Sequence, residues 1–141
     1  MENVDYTDTF ITTAPDFVGD RATAPTKRAG KPTVASATYA MVIDDPYRYR
    51  ASDVIFRVWA DRQDLPESDR AEAWNRFYAK GRACLRASDL PKRYGWGVHS
   101  DADGRIALYP VESPEYARLR DGIAPDGTAV TVRPAMRSRR A

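Results

Sequence analysis

Apolar and polar positions change period several times along the chain, and each change predicts an element. Residues 7–13 alternate in β-forming residues, with Phe10 and Ile11 at the centre, and predict a strand. Residues 33–43 place Val34, Ala37 and Met41, with Thr38, on one helical face. Thr33 stands where an N-cap belongs, and Asp44-Asp45-Pro46 ends the helix. Residues 52–60 admit two readings. Val54, Phe56 and Val58 alternate as in a strand, whereas Ser52-Asp53 would suit a helix start. The weight of β-branched and aromatic residues favours the strand. From Pro66 or Glu67 to just before Gly81 the period is helical, with Ala71, Trp74, Phe77 and Tyr78 on one face. Glu72 and Arg76 form a favourable i,i+4 pair there, and Gly81 takes the position of a C′ glycine. Residues 94–100 and 105–111 predict a β-hairpin around Asp101-Ala102-Asp103-Gly104. Ser113-Pro114 opens a further helix that stops at Gly122. Pro125-Asp126-Gly127 is a turn, and residues 128–132 a last strand. This order predicts an α+β fold: a small, mostly antiparallel sheet with a central hairpin at about 94–111, packed against two or three helices.

Residues 14–32 keep no period. They contain Pro15, Gly19, Pro25, Gly30 and Pro32, and also Lys27, Arg28 and Lys31. A structureless stretch of that length is uncommon inside a domain, so it is expected to be a flexible or lid-like loop. Charge sharpens the picture at the two ends. Residues 1–20 hold five acids and no Lys or Arg, while residues 133–141 hold four Arg and no acid. Either these are two solvated ends, or the first and last segments lie side by side.

The total of 141 residues favours a single domain over 1–141, ending in the basic C-terminal segment 133–141. Lys plus Arg number 22 and Asp plus Glu 20, a balance that argues against default binding to nucleic acid or a membrane surface. One Cys and one His exclude a disulfide scaffold and a zinc site built from those residues alone. No metal and no cofactor is expected. The longest apolar run is residues 39–43, and the acidic start lacks the features of a secretory signal. The expectation is a cytoplasmic protein without membrane association.

Several short runs together resemble a known family. They are Thr9-Phe10-Ile11, Pro46-Tyr47-Arg48-Tyr49, Lys80-Gly81, Cys84-Leu85-Arg86-Ala87-Ser88, Ala107-Leu108-Tyr109, Glu115-Tyr116 and Ala135-Met136-Arg137-Ser138. The most specific is Lys92-Arg93-Tyr94-Gly95-Trp96-Gly97-Val98-His99. The chain resembles, over nearly its whole length, a family of small bacterial proteins classed as a domain of unknown function. The resemblance implies one full-length domain and brings with it no mechanism, cofactor or catalytic residue.

Candidate chemistry concentrates between Cys84 and His99, the only Cys and the only His. With a four-residue loop, Gly95, Gly97 and His99 share one face of the hairpin strand and Tyr94, Trp96 and Val98 the other. Two alternate glycines leave a bare strip, so something must come close to it. One reading packs a helix or an aromatic ring there. The other lays a planar or anionic ligand on Gly95 and Gly97, beside Tyr94 and Trp96, with Arg86, Lys92 and Arg93 supplying charge. His99 is then a candidate acid or base, and Cys84 a candidate nucleophile if cations favour its thiolate. Their plain alternatives are a hairpin-end histidine exposed to water and a small buried hydrophobe. Gly95-Trp96-Gly97 lacks the third glycine of a dinucleotide loop, and Asp101-Ala102-Asp103-Gly104 lacks the later ligands of a calcium loop.

Three functions stay open. The first is binding of a small anionic or planar ligand at residues 84–99, with cofactor-independent acid–base chemistry as an extension. The second is a structural or interaction module, such as a homodimer, without catalytic activity. The third is single-stranded nucleic-acid binding through the mixed cationic and aromatic residues. Whether the chain is an enzyme stays undecided at this level.

Overall fold

In the computed structural model, which describes residues 1–138, the helices start where side chains can satisfy free backbone N–H groups. Thr33 caps α1 (Val34–Val42) through a reciprocal pair of bonds with Ser36. Ser113 Oγ accepts from Tyr116 N at the start of α5 (Pro114–Arg120), with Pro114 in the first turn. Both starts agree with the sequence reading. The buried side of α1 does not: Ala35, Ser36, Thr38 and Val42 face inward, and Val34 is left 55% exposed.

Residues 51–62 form a helix, α2 (Ala51–Arg62), and not the strand that their alternation suggested. The reason is burial on two sides. Val54 and Val58 pack into one core cluster, while Phe56 and Ala60 pack into another with Ala73 and Phe77. Two buried stripes on one helix imitate the alternation of a strand. The helix start is anchored by Asp5, which accepts from Ser52 N at 2.9 Å and Ser52 Oγ at 2.7 Å. A 3-10 turn at Glu67–Asp69 leads into α3 (Arg70–Ala79), where the Glu72–Arg76 pair forms at 2.9 Å. Phe77 is buried and Trp74 only half-buried. Lys80 ends this helix in an extended conformation, so Gly81 does not act as a left-handed cap.

The sheet has the order β3-β2-β1-β4, built from β1 (Thr9–Thr12), β2 (Trp96–Ser100), β3 (Ile106–Pro110) and β4 (Thr131–Pro134). β2 pairs antiparallel with β1 and β3, and β1 pairs parallel with β4. The fold is thus α+β with a mostly antiparallel sheet, and the first and last strands are neighbours. Arg139 and Arg140 of the basic segment lie outside the described residues. The hairpin register differs by one from the expected one: Ser100 opposes Ile106, and Gly97 opposes Tyr109. Asp101 Oδ1 accepts from both Asp103 N and Arg105 N, which closes a five-residue loop rather than four. The last strand also starts later than residue 128.

One face of the sheet carries Ile11, Val98, Ile106 and Leu108 and packs against α1, α2 and Leu85. The other carries Phe10, His99 and Ala107, and Tyr116 and Leu119 of α5 cover Phe10. Residues 14–32 run irregularly along the start of β2. Ala14 N donates to Pro91 O, Thr23 N to Tyr94 O, and the Trp96 indole N–H to Thr23 O. No helix among the described residues is long and apolar enough to cross a membrane.

Candidate functional site

The expected site residues fall into separate places. Gly97 sits under the rings of Phe10 and Tyr116, and a Cβ built on it would lie 2.8 Å from Tyr116 Cε2 and closer still to Phe10. Gly95 precedes the strand at φ +81°, with the Arg21 carbonyl oxygen 2.9 Å from where its Cβ would be. The bare strip is therefore filled by this chain's own groups. The close approach that strand glycine signalled is present, and a ligand has no room on the strip.

His99 lies on the same face, 5% exposed. Its Nδ1 is 2.8 Å from Tyr47 Oη, which is 2.6 Å from Tyr109 Oη. Burial lowers the His99 pKa below its ordinary value, against the opposing pull of the Asp101, Asp126 and Asp8 carboxylates. Burial, and then the bond to Tyr109, push the Tyr47 phenol well above its usual range. Tyr47 holds this position at φ +61°, an uncommon backbone for an aromatic residue.

Arg86 points elsewhere. Its Nε donates to Pro134 O at 2.8 Å, and its carbonyl accepts from Met136 N, so it ties residues 85–87 to the end of β4. Trp96 is buried beside Tyr39. The remaining expected residues lie in a short helix and on either side of it. Ser88 caps this helix, α4 (Asp89–Arg93), and buried Leu85 anchors the 3-10 turn before it. Cys84 precedes that turn, half-buried, with Sγ 3.4 Å from Tyr6 Oη. That contact, together with burial, raises the Tyr6 pKa.

On the Cys84 side, α1, α2 and residues 82–88 enclose a groove of about 320 Å³. Its walls are chiefly apolar and include Val34, Ile55, Val58, Trp59 and Leu85. Cys84 lies on one wall, Arg62 and Arg82 on the rim. Arg82 is fixed there by a bond to Phe77 O and by its guanidinium 3.8 Å above the Phe77 ring. On the Arg93 side, a second cleft of about 570 Å³ is lined by Arg28, Lys31, Arg62, Arg93 and Tyr94, with one carboxylate, Asp89. Lys92 and Arg93 also border a further depression with Asp16 and Arg21. The structure thus brings Arg93 and Tyr94 together, places Cys84 on the other side of Val34 and Arg62, and separates His99 and Gly97 from both. Ile55, Trp59 and Arg62 went unnoticed in the sequence, and Val34, which the structure leaves exposed, was read only as part of an apolar helix face. No group of three or more His, Cys, Asp or Glu among the described residues is placed to hold a metal ion.

Comparison with protein families matches residues 1–141 to one described as a family of unknown function (DUF6157). Comparisons with curated proteins and with solved structures find no match.

Proposed function

We propose that this chain, which belongs to the family of unknown function DUF6157, binds a small, largely apolar organic molecule in the groove between α1, α2 and residues 82–88. The observation that carries this reading is the apolar lining left open to solvent at Val34, with Trp59 only half-buried beside it and arginines among the lining residues. A folded domain ordinarily closes such a surface against its own side chains, as this one does at Gly97. The volume stands at the small end of ligand sites, about 300–1,000 Å³. The filled glycine strip moves the ligand from Gly95, Trp96 and Gly97 to the opposite side of Leu85. It also favours a structural role for His99, whose ring sits under Tyr47.

The test is an NMR screen of small apolar carboxylates and alcohols against the labelled protein, paired with alkylation of Cys84. Shifts confined to residues 34, 55, 58, 59 and 82–88, with slower alkylation of Cys84 on saturation, are the expected result. The filled strip also supports the second reading, an interaction module whose aromatics are simply core. A screen without saturable shifts, from a protein that sediments as a dimer, would favour that module over a ligand site.

A further inference from the structure

The groove has a neighbour. Val34 and Arg62 line both the apolar groove and the cationic cleft, so the two concavities adjoin at these residues. The cleft is built around a two-residue turn. Arg28 N donates to Lys31 O at 2.9 Å and Lys31 N to Arg28 O at 3.0 Å, with Ala29 and Gly30 both at positive φ. A pair that exchanges both bonds in this way points its two side chains to the same side of the ribbon. Two cations are therefore held side by side, an arrangement that costs free energy when nothing offsets it. Ala29, at φ +52°, adds backbone strain at the same turn. Arg62 joins this pair from α2, its Nη1 donating to Pro32 O at 3.0 Å. Among the described residues, none of Arg28, Lys31 and Arg62 forms an ion pair; Arg93 has Asp89 at 3.6 Å.

We infer that the ligand is an amphipathic anion, its carboxylate or phosphate head on Arg28, Lys31 and Arg62 and its apolar part passing over Val34 into the groove. The inference rests on the groove reading and extends it by charge complementarity. Cations on a turn and an apolar trough that meet at Val34 and Arg62 match a molecule with a charged end and a short chain.

Calorimetric titration with octanoate, octyl phosphate and 1-octanol tests it, on the native chain and on the Arg28→Ala/Lys31→Ala double variant. Both substituted side chains are exposed, so the variant should fold. At low ionic strength the better anion should bind about tenfold or more tighter than the alcohol. The double variant should lose most of that preference and keep its affinity for octanol. Tighter binding of octyl phosphate would identify a phosphate head, and tighter binding of octanoate a carboxylate. Equal affinity for alcohol and anions, or a preference unchanged in the double variant, would overturn the amphipathic ligand and leave the groove reading standing. If none of the three binds, both readings fall.

Discussion

Gly97 is required by what lies above it. The rings of Phe10 and Tyr116 occupy the volume that any side chain there would need. They are held in turn: Tyr116 Oη accepts from Thr13 N at 2.9 Å, and the two rings meet edge to face. Gly97→Ala should therefore destabilise the fold by about 1–3 kcal/mol despite better strand propensity, read as a lower denaturant midpoint with unchanged slope. His99, one turn of the pleat away, gives a pH prediction. Its folded pKa is lowered below the ordinary 6.5, chiefly by burial, so the unfolded chain binds the proton more readily. Stability should be level above that pH and fall as pH drops below 6.5 toward the folded pKa. Urea midpoints at pH 7.5 and 5.5 should differ in that direction, and His99→Gln should reduce the difference. An unchanged difference in the variant would assign the dependence to other groups.

At the scale of elements, α2 holds the most structure, because it is shared by two hydrophobic clusters. Its start depends on Asp5, a residue remote in sequence, whose carboxylate stands where an N-terminal side chain would otherwise cap it. Asp5→Ala should cost about 1–2 kcal/mol and raise amide exchange first in residues 51–54; protection lost evenly along the chain would argue against a local cap. The same helix marks how far the sequence could be read. Elements with local signals were legible: the Thr33 and Ser113 caps and the Glu72–Arg76 pair stand where they were expected, and the hairpin does too, one residue out of the expected register. The helical state of residues 51–62 was not, because α3 buries a second stripe that no local pattern distinguishes from alternation. Missing that helix also hid the groove, since Ile55, Trp59 and Arg62 face it only from a helix packed beside α1. Of the expected site, Cys84, Arg93 and Tyr94 border the two concavities, whereas Gly95, Trp96, Gly97 and His99 serve packing. Composition drew attention to residues 84–99, but which of them face a concavity and which are packed inside is a tertiary fact.

Across the whole molecule, a four-stranded sheet divides the protein into two unequal halves. α1 to α4 lie with the face that carries Val98, and α5 covers part of the other. The candidate groove belongs wholly to the helical side. Ligand occupancy should therefore raise the melting temperature without altering the environment of Tyr116 and Leu119, a separation that methyl and aromatic NMR can check. The parallel pairing of Thr9–Thr12 with Thr131–Pro134 bears on how the chain is made. Residues 13–130 separate the two strands, so β1 is synthesised long before its lateral partner. Until then one edge of the sheet offers unpaired N–H and C=O groups to any extended neighbour. Closing so long a loop costs entropy, so the β1 edge stays open until β4 has been made and has docked. Crowded expression would punish that interval with misassembly well before any loss of native stability, and slower translation late in the message would not shorten it.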